Sequence, residues 1–164
     1  MTIRKIQKKD ATYFLDMLLR LDRETKNMMF EPDERPKDVK KVEDMIVQYQ
    51  QTHSLILIAN TDNDIVGFLS AEKGCYNRIK HTAYIVVGIL PEYQGKSIGT
   101  NFLNKLEEWA RQSKITRLEL TVRIDNKGAV HLYKKNGFVI EGVKRKSMIV
   151  DGKYVDEYYM ARIL

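Results

Sequence analysis

The stretch Gln94-Gly95-Lys96-Ser97-Ile98-Gly99 brings together the parts of an anion site. It joins the apolar run HTAYIVVGILP to a helical pattern that opens at Ile98, which places it at a helix N-terminus. Backbone N–H groups there have no intrahelical partner and carry partial positive charge, so they suit phosphate. Gly95 and Gly99 remove side chains that would keep a phosphate from the backbone, and Lys96 adds charge. The same glycines also fit an ordinary left-handed turn. Two other phosphate loops are excluded. A Walker A loop needs glycine where this chain has Leu90, and a dinucleotide fingerprint needs glycines that Lys96 and Ser97 do not supply.

The elements around this stretch follow from periodicity. TIRKIQ alternates as a first strand, and Asp10 is the expected N-cap of a helix carrying Phe14, Met17, Leu18 and Leu21 on one face. NMMFEPDERP is a loop, and Pro36 suits the first turn of a second helix with Val39, Val42, Met45, Ile46 and Tyr49. SLILIAN and IVGFLSAEKG form a hairpin about the turn TDND. HTAYIVVGILP, nearly all apolar, reads as a central strand buried on both faces. Gly88 inside it marks a bulge or a close approach of backbone.

Ile98, Phe102, Leu106 and Trp109 or Ala110 mark the next helix, and RLELTVR alternates as a strand. DNKG opens a short helix with Ala129, Leu132 and Tyr133 on one face, stopped by Asn136-Gly137. FVIEGVKRKSMIV, the turn DGK and YVDEYYMARIL close the chain as a long hairpin. The order is βααβββαβαββ. This predicts an α/β (α+β) chain with a mixed, mostly antiparallel central sheet and helices on both faces.

At 164 residues, 43% hydrophobic and 30% charged, the chain has the balance of one globular domain, taken as residues 1–164. No apolar run approaches the ~18 residues of a membrane span, and the N-terminal stretch lacks a signal-peptide core. The single cysteine, Cys75, fits a reducing cytoplasm. The net charge of +6 points to a polyanionic partner: nucleic acid, a membrane or a phosphorylated ligand. Residues 1–93 carry 14 basic and 14 acidic side chains, whereas 94–164 carry 14 basic and 8 acidic, so the excess sits in the second half.

Two motifs narrow the choice. Gln94-Gly95-Lys96-Ser97-Ile98-Gly99 resembles the [QR]-x-x-G-x-[GA] loop of the GNAT N-acetyltransferases, with Ser97 where that family usually has glycine. Asn126, Ala129, Leu132, Tyr133, Gly137 and Phe138 match its second signature, N-x-x-A-x-x-L-Y-x-x-x-G-F, without a gap. The order of elements follows the family along essentially the whole chain. Gly142 to Arg145 and Asp151 to Asp156 are more loosely similar to its ribosomal-protein and polyamine branches.

The resemblance implies acetyl-coenzyme A held between two splayed parallel strands, HTAYIVVGIL and RLELTVR. Backbone groups of Val87 and Ile89 would pair with the pantetheine arm, and the N–H groups of Gln94, Gly95, Lys96, Ser97, Ile98, Gly99 and Thr100 would meet the diphosphate. A serine at position 97 keeps its N–H and suits an N-cap. Lys96, Lys127 and Lys134 are candidates for the phosphate charge. Asn126 matches a cofactor-arm ligand, a role that can coexist with capping its helix. Tyr133 matches the general acid that protonates the departing thiolate.

The chemistry implied is direct attack by a primary amine on the thioester, with the Ile89 N–H polarising the carbonyl and no nucleophilic residue needed. Glu72 and Glu92 are the candidate bases, Glu72 foremost, with His81 and Tyr84 weaker. Glu31, Asp33 and Glu34 in the loop FEPDER would receive a cationic amine, Glu31 and Glu34 above all. The expected partner is a small-molecule or peptide amine, with no nucleic acid, membrane or metal; a homodimer is left open. Two rival readings are a non-catalytic acyl-CoA sensor, raised by Ser97, and a basic nucleic-acid-binding domain, supported by charge alone.

Overall fold

The computed structural model describes residues 1–62 and 64–164. The expected order of elements is present: β1 (Thr2–Lys5), α1 (Ala11–Glu24), α2 (Val39–Gln51), β2 (Leu55–Asn60), β3 (Ile65–Lys73), β4 (Thr82–Ile89), α3 (Ile98–Gln112), β5 (Arg117–Arg123), α4 (Lys127–Lys135), β6 (Val139–Val150) and β7 (Lys153–Ile163). The strands form one sheet in the order β1-β2-β3-β4-β5-β7-β6. Every neighbouring pair is antiparallel except β4 and β5. A parallel pair needs a crossover, and α3 supplies it. The TDND turn between β2 and β3 contains Asn63, which lies outside the described residues.

Burial varies along the sheet. All of Leu55–Ala59 in β2 and Ile65–Leu69 in β3 are buried, so this part of the sheet is covered on both faces. Phe14 of α1 packs edge-on against Phe68 of β3, with ring centroids 5.5 Å apart, and α3 packs over β2, β3 and β4. The expectation that β4 is buried on both faces is corrected. Tyr84 and Val86 are 41% and 36% exposed, whereas Gly88 on the same face is buried beside Leu21 of α1, so helix cover reaches that end of the strand and leaves the middle open. β6 at the far edge is almost wholly exposed.

Helix starts also differ in detail from their sequence signals. Asp10 precedes α1 but makes no side-chain cap bond to it. Its carboxylate instead accepts from Arg4 (2.7 and 2.9 Å) and from the Gln7 N–H (2.8 Å), locking the turn before the helix to β1. Pro36 lies outside α2, whose cap is Asp38, accepting from the N–H groups of Lys40 and Lys41. Asp151 and Gly152, with φ of 51° and 74°, make the two-residue turn between β6 and β7 that its twist favours.

Candidate active site

The parallel pair is short. Only Thr82–Tyr84 of β4 pair with Arg117–Glu119 of β5. Beyond Tyr84 and Glu119, β4 runs on against β3 and β5 runs on against β7, so the two strands part and leave a fork. A cavity of about 440 Å³ fills it. One wall is Val87, Gly88 and Ile89 of β4, and another is the turn and helix start from Tyr93 to Thr100, save Lys96. Asn126 and α4 close it through Gly128, Ala129, His131, Leu132, Tyr133 and Lys135. Leu21 and the loop residues Thr25, Asn27 and Met28 complete it.

The glycines and caps explain why this wall can receive a ligand. A Cβ on Gly88 would lie 2.6 Å from the Phe68 ring and 2.8 Å from Leu21, so Gly88 answers a close approach; the β3–β4 register runs through it without a bulge. Gly95 and Ser97 both adopt positive φ, 73° and 61°. That conformation is natural for glycine and strained for serine. Ser97 occupies the N-cap position of α3, as expected, but makes no side-chain cap bond. The first intrahelical bond of α3 runs from the Asn101 N–H to the Ser97 carbonyl, so the N–H groups of Ile98, Gly99 and Thr100 precede the ladder. By contrast, α2 and α4 are capped, by Asp38 and Asn126. α3 alone of these presents an uncapped start, and it does so to the cavity. A diphosphate-bearing ligand fits this donor set.

The remaining residues divide. Gln94 lines the cavity and donates its side-chain amide to the Ile89 carbonyl (3.2 Å), tying the turn to the end of β4. Asn126 lines it while accepting the Ala129 N–H (3.3 Å), so its capping role is present. Lys96 instead holds its ammonium 4.8 Å over the Tyr93 ring, and the lysine on the cavity wall is Lys135, with Lys127 and Lys134 outside it.

Tyr133 is 6% exposed, packs on Phe138 at 5.6 Å between ring centroids, and lines the cavity. Burial pushes its hydroxyl above the ordinary phenol range, with Tyr84 adding to the effect. It therefore stays protonated at any neutral or mildly alkaline pH.

Glu72 is exposed on β3, opposite Tyr84 in the register, and does not line the cavity in the fork. Glu92 is paired with Arg20 (2.9 Å), and His81 is exposed. Glu31 and Glu34 are exposed and turned on each other, the Glu34 carboxylate accepting the Glu31 N–H (2.7 Å), and Asp33 pairs with Lys37. None of these lines the cavity in the fork.

The sequence reading missed the part of this loop that does reach the cavity. Thr25, Asn27 and Met28 are held there by Arg35, which grips the buried Asp22 of α1 at 2.7 and 3.0 Å, and by Arg123, which donates to the Lys26 carbonyl (2.6 Å). These partners lie far apart in sequence, so no local pattern signals them.

Beside the fork, a second cavity of about 340 Å³ is bounded by Tyr84, Arg117, Glu119, Leu120, Glu141, Tyr159 and Met160. Arg117 sits between two carboxylates. Its Nε donates to Glu119 (2.6 Å), and its two terminal nitrogens donate to both oxygens of Glu141 (3.0 and 2.6 Å). These bonds raise the guanidinium above its ordinary value and hold Glu141 below the usual carboxylate range. Tyr84 reaches over the gap between the strands to share a hydrogen bond with the Thr121 hydroxyl (2.8 Å).

Known proteins agree with this architecture. The model of the acetyltransferase (GNAT) family matches residues 16–138. The chain is 35% identical over 111 residues to the L-amino acid N-acetyltransferase AaaT of Escherichia coli, spanning 65% of this chain and 67% of that one. It is 32% identical over 81 residues to the spermidine N(1)-acetyltransferase of Vibrio cholerae, spanning 49% of this chain but only 47% of that enzyme. The crystal structure of a GNAT-family acetyltransferase from Streptococcus pneumoniae superposes with a TM-score of 0.94 at 29% identity, over 99% of this chain and 98% of that one. An acetyltransferase from Salmonella typhimurium solved with its cofactor acetyl-CoA shares the fold, with a TM-score of 0.88 at 19% identity over 99% and 93% of the two chains. The fork between β4 and β5, the uncapped start of α3 and the two sequence signatures thus have one explanation: the chain belongs to the GNAT acetyltransferase family.

Proposed function

We propose that the protein transfers the acetyl group of acetyl-CoA to a primary amine by direct attack in a ternary complex. The observation that carries this reading is the fork itself, with three uncapped N–H groups in one wall of its cavity and the buried Tyr133 in another. In this reading the N–H groups of Ile98, Gly99 and Thr100 bind the diphosphate, with Gln94, Gly95, Lys96 and Ser97 shaping the turn. Exposed backbone of Val87 and Ile89 takes the pantetheine arm as a neighbouring strand would, and Asn126 orients it. Bound acetyl-CoA supplies a thioester carbonyl that a neutral amine attacks without a protein nucleophile.

The chain's own part is then positioning and proton handling. The Ile89 N–H polarises the carbonyl oxygen. Tyr133, kept protonated by its burial, donates its proton to the departing sulfur. Glu72 is the proposed base for the ammonium proton, reached through water, because it stands beside Tyr84 on the amine side of the sheet. The acceptor is a small amine, a polyamine or a peptide N-terminus, and the enzyme acts in the cytoplasm.

The test is a mass-shift screen of an amine and peptide panel with acetyl-CoA, reading gain of one acetyl group together with release of free thiol. Acetyl-CoA binding without transfer to any member supports a sensor instead.

A further inference from the structure

The second cavity lies where an acceptor would have to approach the fork. Glu72, Tyr84 and Glu119 form one row across β3, β4 and β5, and this row is the last before the strands part. Residues paired across strands share a face, so all three side chains stand on the face that α1 packs against at Phe68 and Gly88, on a stretch where Glu72 and Tyr84 stay exposed. Thr121 follows Glu119 on that face, and Tyr159 is its partner in β7. The register shift between Ile140 and Gly142 leaves Glu141 as an extra residue, and its carboxylate reaches Arg117 from β6. Tyr84 thus belongs to the groove while spanning the gap above the acetyl-CoA cavity.

The charges in the groove favour one kind of ligand. One guanidinium between two carboxylates leaves a net negative charge. Arg117 already commits three N–H bonds to these partners. Glu119 spends one oxygen on Arg117, and among the described residues nothing donates to the other. Tyr84 and Tyr159, 41% and 46% exposed, present aromatic surface beside it. A free carboxylate oxygen flanked by two tyrosines suits an alkylammonium, through a charged hydrogen bond and cation–π contact. An acceptor carrying a carboxylate next to its amine would instead meet Glu119 and Glu141.

We infer, resting on the acetyl-transfer reading, that this groove receives the acceptor, that Glu119 holds its ammonium, and that it selects cationic amines without a neighbouring carboxylate, of the linear diamine and polyamine class. Glu119 is then a specificity-determining residue. Arg117 and Glu141 are positioning residues that fix its carboxylate.

The experiment is calorimetry on the CoA-loaded protein with putrescine, leucinamide and leucine, followed by steady-state kinetics on the same amines. Putrescine should bind about tenfold more tightly than leucine, with leucinamide between them. Glu119→Gln should weaken putrescine about tenfold and raise its KM far more than it lowers kcat, with CoA affinity and Tm retained. Glu119→Asp should recover part of the loss. Tighter binding of leucine than of leucinamide, unchanged putrescine binding in Glu119→Gln, or no binding of any amine overturns the inference. Acetylation of leucine in preference to putrescine overturns it while leaving the acetyl-transfer reading intact. Putrescine binding without any transfer overturns that reading and leaves the groove's selectivity standing.

Discussion

The two sides of the fork are built by different means. The cavity below it is made largely of backbone and apolar surface: four glycines, a left-handed turn, the bare N–H groups of α3 and the buried Tyr133 hydroxyl. The groove above it is made of charged and aromatic side chains contributed by four strands. Backbone donors hold one geometry and suit a ligand that is the same in every turnover. Side chains on an exposed stretch of sheet change by single substitutions without touching the fold, which suits the part of a family that varies between substrates.

Substitutions on each side can break or sharpen this contrast. The largest effect is expected from Tyr133→Phe, which removes the buried hydroxyl. The kcat should fall by about a hundredfold, with acetyl-CoA affinity measured by calorimetry kept within a few-fold. An unchanged kcat would show that the lower cavity contributes no proton.

Gly88→Ala comes next. Its new Cβ would meet the Phe68 ring at 2.6 Å, so Tm should fall with a loss of about 1–3 kcal/mol of stability, and both ligands should bind less well. A stable Gly88→Ala protein with normal binding would mean that the lower wall tolerates side chains after all.

Ser97→Gly should act in the opposite direction. Relief of the left-handed serine should stabilise the protein by about 1 kcal/mol and tighten acetyl-CoA binding modestly. Looser binding on calorimetry would refute the account of that turn.

The smallest effect concerns pH. Tyr133 has its value raised in the folded protein, so it stays protonated above the ordinary phenol range, near 10. The kcat profile should therefore show no falling limb from this group up to about pH 10. Glu141 has its value lowered by Arg117, so the ion pair between them should persist as pH falls into the usual carboxylate range.

The same contrast explains what could be read in the sequence. A backbone-built site draws on contiguous residues, so Gln94 to Thr100, between β4 and α3, and Asn126 to Phe138, through α4, stand out as unbroken motifs. The groove is scattered. Glu119 sits in RLELTVR as one more outward residue of an alternating strand, and its neighbours arrive from β4, β6 and β7 through register and a bulge. Fold-level reading failed where cover by other elements decides the outcome. The apolar run of β4 looked buried on both faces, yet Tyr84 and Val86 stand on an open stretch of one. Ser97 does stand at the cap position, but its φ of 61° is set by the turn and not by its hydroxyl.

The brevity of the β4–β5 pairing has a mechanical consequence. The sheet consists of two leaves, β1 to β4 and β5 to β6, joined by a seam of three residue pairs and the crossover through α3. A ligand lying in the gap would prolong that seam and fasten the leaves together along its length. Its binding energy would then add directly to the work needed to pull them apart, so occupancy should be readable as slowed hydrogen exchange across β4 and β5.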